Sequence, residues 1–121
     1  MFNVDGTLRQ SIAPLDRPNN VDVEYGLTIE DRSVDIAVVT ERRQHRLRVF
    51  AIPSDGGPLT DLVPGGLPVL ESATGDASEP MGIAVYRRPR DGAIFLIVAP
   101  KSGDATDYLW QYRLHADRRD D

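Results

Sequence analysis

The hydrophobic positions of this 121-residue chain fall into two groups of three short segments. The segments read VDVEYGLTI (21–29), SVDIAVVTE (33–41) and RLRVFAI (46–52), then MGIAVYRR (81–88), AIFLIVAP (93–100) and YLWQYRLH (108–115). They are rich in Val and Ile and are separated by turn residues and charges, as is typical of β-strands. Convincing helical periodicity is absent, and nine Pro and ten Gly interrupt the chain at short intervals. The pattern predicts an all-β protein.

The two groups repeat each other. Val21 and Met81 begin the first segments at an offset of 60, and Leu47 and Leu109 lie in the third segments at an offset of 62. A repeat of about 60 residues with three clear strands favours β-propeller blades, which normally have four antiparallel strands. The fourth strand of the first repeat is expected in PLTDLV or LPVLES, within residues 58–72. The second repeat ends without one.

The N-terminus supplies a candidate for the missing strand. MFNVDGTLRQSI has the same order of apolar strand, Asp-Gly turn and leucine as VFAIPSDGGPL (49–59). We therefore expect residues 1–15 to be a closing strand that completes a blade of its own or a neighbouring subunit. Residues 16–75 would be one blade, and residues 76–121 a second blade lacking its own fourth strand. Because an open edge invites pairing, we expect a piece of a longer chain or a head-to-tail homo-oligomer, with three copies giving six blades.

Composition limits the classes of function that the chain can have. The net charge of −5 argues against a nucleic-acid surface, since no basic excess is present to meet a polyphosphate backbone. Thirteen of the fourteen basic residues are Arg, whose planar fork grips phosphate or carboxylate, and Lys101 is the single lysine. There is no cysteine, no apolar run near the ~20 residues of a membrane span, and no signal-peptide pattern at the start. Either the protein stays inside the cell, or its export signal lies outside this chain.

Charged and oxygen-bearing residues gather at one predicted rim. Neighbouring strands run antiparallel, so the start of a first strand lies beside the end of the second. Arg42 and Lys101 follow the two second strands at an offset of 59 and are predicted to occupy equivalent positions. The same rim receives the starts of the first strands, with Asn19, Asn20 and Asp22 in one repeat and Glu79 in the other. Alternating cations and oxygen ligands suit an organic phosphate whose remaining charge is neutralised by Ca²⁺. The candidate ligands are therefore Arg42, Lys101, Arg43 and Arg87 for the phosphorylated substrate, and Asn20, Asp22 and Glu79 for the metal.

Each candidate also has a plainer interpretation. The two asparagines are turn formers, whereas Asp22 stands inside a strand, where Asp is disfavoured. Arg42, Arg43 and Arg87 are ordinary solvated strand ends on the same interpretation. His45 and His115 show no metal-ligand spacing and are expected at the surface.

The motifs RPNNVDVEYG, VDIAVVTER, LRVFAI, EPMGIAVYRRPRDGAIF and YLWQYRL, in this order, resemble those of the β-propeller phytases. The resemblance implies a six-bladed, secreted or periplasmic, Ca²⁺-dependent enzyme that removes phosphate from phytate by attack of a metal-activated water. It also implies that Asn20 and Asp22 belong to a calcium-associated motif, and that Arg42 and Lys101 bind substrate.

The sequence departs from this family in two ways. Met81 stands where the family has an aromatic residue, usually Tyr, and a thioether is a poor partner for Ca²⁺. The opening blade and the later blades with most acidic calcium ligands are absent from the chain. Three interpretations remain open: a phytase-like phosphohydrolase complete only in an assembled ring or longer chain, a non-catalytic phosphate- or Ca²⁺-binding module, and a structural self-assembling unit.

Overall fold

The computed structural model describes residues 1–2, 4–13, 15, 17–29, 31–71, 73–103 and 108–115. The domain bounds expected from the sequence also include positions outside these ranges, such as 116–121. Within the described ranges the all-β prediction is confirmed, since two antiparallel sheets form and the single helix is a 3-10 turn at Gly75–Ser78. No helix in these ranges is long and apolar enough to cross a membrane.

The first sheet contains all three strands of the first group. Its order is β1 (Pro18–Ile29), β2 (Arg32–Glu41), β3 (Arg46–Ile52) and β4 (Thr60–Asp61), with β5 (Leu67–Pro68) also paired to β3. Both segments predicted as candidates for the fourth strand, PLTDLV and LPVLES, therefore pair with β3, each through two residues. Thr60 and Asp61 pair with one end of β3, and Leu67 and Pro68 pair with the other end.

The second sheet has the order β6 (Pro80–Arg87), β7 (Ile94–Pro100) and β8 (Trp110–Leu114). Its strands follow the second group of apolar segments. Among the described residues, no fourth strand pairs with β8. Two successive sheets of three main antiparallel strands are consistent with propeller blades.

The hydrophobic core lies between the two sheets. It consists of Leu27 from β1 and alternate residues from β2, β3 and β7, together with Val69 and Leu70 from the segment that connects the sheets. Leu70 is 1% exposed, and its backbone N–H donates to the Tyr112 hydroxyl on β8 at 2.8 Å. Burial raises the pKa of this hydroxyl above its ordinary value. Since burying one such leucine contributes roughly 1.5–3 kcal/mol, the connection fastens the two sheets together.

The N-terminal segment lies against the first sheet. Phe2 and Leu8 form one isolated antiparallel bridge, and the side-chain amide of Gln10 bonds both the N–H and the C=O of Leu59. This placement is on the face of the first sheet that points away from the core, where Ile12 and Leu15 line a hollow with Ala37 and Phe50. The closing of a blade by residues 1–15 stays a prediction.

Candidate functional site

The ends of β2 and β7 carry Arg42 and Lys101 to matching places. The backbone N–H of Arg42 donates to the carbonyl of Arg17, just before β1, at 3.1 Å. The N–H of Lys101 donates to the carbonyl of Glu79, just before β6, at 2.9 Å. The same hydrogen bond therefore closes the same end of each sheet, and it fixes the backbone from which each cation extends.

Glu79 lies between the two cations. Its Oε1 is 3.8 Å from Nη2 of Arg42, and its Oε2 is 3.9 Å from Nζ of Lys101. The side chains of Arg42 and Glu79 are 14% and 18% exposed, whereas that of Lys101 is 42% exposed. We call Arg42, Glu79 and Lys101 the cationic rim. The rim carries one net positive charge, and partial burial of two of its members reduces screening by water.

One hydrogen-bond donor of Arg42 is unpaired. Its Nε is buried and has no hydrogen-bond partner in the structure. Leaving a buried donor unpaired costs about 1–3 kcal/mol, so such groups are uncommon in proteins. An acceptor oxygen that reached this nitrogen would recover that cost. A phosphate group supplies several such oxygens in a geometry that the guanidinium fork matches.

Polar groups of the NNVD segment bind the second sheet beside the rim. Asn19 Nδ2 donates to the carbonyl of Met81 at 3.1 Å, and the hydroxyl of Thr40 donates to the same carbonyl at 3.3 Å. The backbone N–H of Asn20 donates to the Thr40 hydroxyl at 3.0 Å. These bonds hold the start of β6 against β1 and β2, and thus hold the Glu79 segment next to Arg42.

Asp22 makes a second connection between the sheets. Its Oδ2 accepts the backbone N–H of Val85 on β6 at 2.7 Å, and its Oδ1 accepts the N–H of Val23 at 2.9 Å. A carboxylate inside a strand is therefore explained by two charge-assisted hydrogen bonds, one of them across the interface. The motif acts as a clamp between the sheets.

The residues expected to bind calcium do not converge. Asn20 Oδ1 accepts the N–H of Val21, Asp22 is turned towards β6, and Glu79 faces two cations. Within the described ranges, no group of three or more acidic or histidine side chains is close enough to hold a metal ion. Ca²⁺ takes six to eight oxygen ligands, so these three residues alone do not fit it.

The two other candidate arginines are placed differently. Arg43 is exposed in the turn after Arg42, at the rim. Arg87 pairs with Ile94 at the opposite end of β6, and its guanidinium lies where a Cβ on Gly26 would be 3.2 Å from Nε. Arg87 therefore lies apart from Arg42 and Lys101, because eight residues of extended strand separate the two ends of β6, and its expected role in substrate binding stays a prediction.

Sequence reasoning missed Thr40 and His45. Thr40 is fully buried, and a polar residue within the apolar run DIAVVT was the available signal. His45 is exposed at the surface, as expected, and its Nδ1 is 2.8 Å from the carbonyl of Ser78. This contact joins the turn after β2 to the 3-10 turn before Glu79. No pattern in the sequence indicated it.

Comparison with known proteins identifies the family of the chain. The family model described as Phytase matches residues 1–116, so the chain belongs to the phytase family. Among curated proteins it is similar to a 3-phytase of Bacillus subtilis (strain 168), with 26% identity over 110 residues. That match covers 89% of this chain but only 28% of the relative, so the chain spans less than a third of the relative's length.

Proposed function

We propose that this chain is the phosphate-binding part of a phytase-like phosphoric monoester hydrolase that acts on phytate (myo-inositol hexakisphosphate) with Ca²⁺. The activity would be complete only in an assembled ring or in a longer chain. The observation that carries the proposal is the cationic rim, where two cations from neighbouring sheets lie 3.8 and 3.9 Å from one carboxylate and Arg42 keeps a buried, unpaired N–H.

Phosphate esters carry negative charge on several oxygens, and hydrolysis develops further charge as water attacks phosphorus. Arg42 can donate two parallel hydrogen bonds to a phosphate group. Lys101 carries its charge on a flexible side chain and can move with the phosphate. Arg42 and Lys101 would both bind the substrate and neutralise the negative charge of the transition state. Since the described residues do not assemble a calcium site, the proposed Ca²⁺ dependence requires ligands from elsewhere in the ring or longer chain.

A second candidate function follows from that same lack of metal ligands. The chain alone would be a non-catalytic phosphate-binding module or a structural self-assembling unit. A module of this kind would bind inorganic phosphate through Arg42 and Lys101 but release none from phytate. A structural unit would do neither.

The deciding experiment measures phosphate release from phytate by the chain, with and without millimolar Ca²⁺. We expect calcium-dependent release, and we expect Arg42→Ala and Lys101→Ala each to raise KM about tenfold or more, as loss of a charged hydrogen bond predicts. Arg90→Ala, which removes an exposed cation from the turn after β6, is the matched control. No release at millimolar Ca²⁺ would rule out a hydrolase assembled from copies of this chain alone, and kinetics unchanged by both rim variants would refute the site.

A further inference from the structure

Glu79 is an unexpected residue to find in an anion site. Its carboxylate is 18% exposed and occupies the space between Arg42 and Lys101, where a bound phosphate would also have to lie. The backbone leaves it little freedom, because its carbonyl accepts the N–H of Lys101 and the next residue, Pro80, is almost fully buried. A negative charge is thus built into the centre of the rim.

The pairing of Glu79 with the cations is close but not tight. Both N–O distances, 3.8 and 3.9 Å, exceed the 2.7–2.9 Å of charge-assisted hydrogen bonds. Arg42 Nε also has no partner, so the carboxylate does not use up the donors of the guanidinium. Glu79 therefore acts on the two cations electrostatically and leaves Nε of Arg42 without a hydrogen-bond partner.

A metal-ligand role for Glu79 fits this geometry poorly. A calcium ion binds carboxylate oxygens at 2.3–2.6 Å, so an ion held by both oxygens of Glu79 would lie within about 6.5 Å of both cationic nitrogens. Both cations would repel it. Asp22, the one other acid proposed as a ligand, bonds to β6, and the described ranges contain no cluster that could share the metal.

We propose that Glu79 is a built-in counter-ion of the phosphate site: it holds Arg42 and Lys101 in position when the site is empty and competes with phosphate for them. The inference rests on the proposed function, because it requires the rim to bind phosphate. It makes Glu79 a positioning residue that lowers the affinity of the rim for anions. Phosphate binds by moving this carboxylate aside or by tolerating its repulsion.

The role predicts a gain of affinity on removing the charge. Glu79→Gln keeps the length of the side chain but is neutral, so phosphate should bind about tenfold more tightly, the size expected for a dianion ~5 Å from one carboxylate in a water-like dielectric. The gain should shrink as NaCl is added, because salt screens exposed charges. Glu79→Asp, which retains the charge, should stay near the wild-type affinity.

The experiment is a calorimetric titration of the chain with inorganic phosphate in calcium-free buffer containing a chelator. Asp55→Asn is the matched control: it removes one negative charge from the exposed turn after β3, at the far end of the first sheet, and should leave the affinity unchanged. A parallel titration with Ca²⁺, without the chelator, should give the same affinity for wild type and Glu79→Gln. Thermal midpoints confirm that each variant is folded.

The outcomes separate the two proposals. If wild type binds phosphate and Glu79→Gln binds it equally or more weakly, the counter-ion role is wrong while the phosphate site stands. A loss of Ca²⁺ affinity in Glu79→Gln would also overturn it and identify Glu79 as a metal ligand. If neither protein binds phosphate, the proposed function fails and the counter-ion role fails with it.

Discussion

At the scale of the residue, Asp22 shows how one side chain can serve an interface between sheets. The N–H of Val85 points away from β7 and would be an unpaired edge donor without the carboxylate of Asp22. Asn19 and Thr40 meet the carbonyl of Met81 on the same edge. The polar start of β1 thus replaces, with side chains, part of the ladder that a neighbouring strand would provide.

Removing the Asp22 clamp should destabilise the fold without any metal present. Asp22→Ala leaves the N–H of Val85 without its partner, so we expect a loss of about 1–3 kcal/mol in the free energy of unfolding, measured with urea in calcium-free buffer. Thr28→Ala, an exposed position on the same strand, is the control and should change stability by less than about 0.5 kcal/mol. If Asp22→Ala is as stable as wild type without calcium and weaker only with it, Asp22 is a calcium ligand instead.

At the scale of the element, the fourth strand of the first sheet shows why the sequence offered two candidate segments for it. Its pairing residues are split between β4 and β5, and each part is only two residues long. The turn between them ends at Gly66, which has a φ of +79°. A Cβ at that position would lie 2.9 Å from the carbonyl oxygen of Leu47, so the backbone passes too close to β3 for any other residue.

Gly66 and its neighbour Gly65 provide a matched pair of substitutions. Both have positive φ, but an added Cβ at Gly65 meets nothing within 4 Å. Gly65→Ala should therefore cost about 1 kcal/mol for the backbone conformation alone, whereas Gly66→Ala should cost at least twice as much because β5 must move away from β3. Chemical denaturation of both variants tests the difference. Equal losses would mean that β5 tolerates displacement from β3.

The main strands were predictable because their signal is local. The segment 46–52 coincides with β3, and the other five differ from the observed strands by no more than three residues at either end. The sequence repeat also predicted that Arg42 and Lys101 occupy equivalent positions in the two sheets. The contacts that define the site did not, since Glu79–Arg42 and Asp22–Val85 join residues 37 and 63 positions apart. Such contacts depend on how two sheets pack, which no strand pattern encodes.

At the scale of the whole molecule, the outward face of the first sheet is only partly covered. Along β1 the usual pattern is inverted: Val21, Val23 and Tyr25 are exposed, whereas Asp22 and Glu24 are partly buried. Farther across the same face, the buried Glu41 forms an ion pair with Arg46. A face with exposed valines beside shielded charges is typical of a surface that another sheet covers.

We expect a second copy of the chain to cover that face. A sheet that packs on both sides is the rule in a propeller, and repeating one head-to-tail contact closes a ring when three copies supply six blades. Light scattering after size exclusion should then give about three times the 13.4 kDa of one chain. Charged substitutions on the face, Val23→Lys with Tyr25→Lys, should reduce the mass to that of a single chain, because lysine ammonium groups would be buried without partners. Thr28→Lys adds a charge to β1 beyond the apolar stripe and should leave the assembly intact. A single-chain mass for the wild type at every concentration tested would contradict the ring.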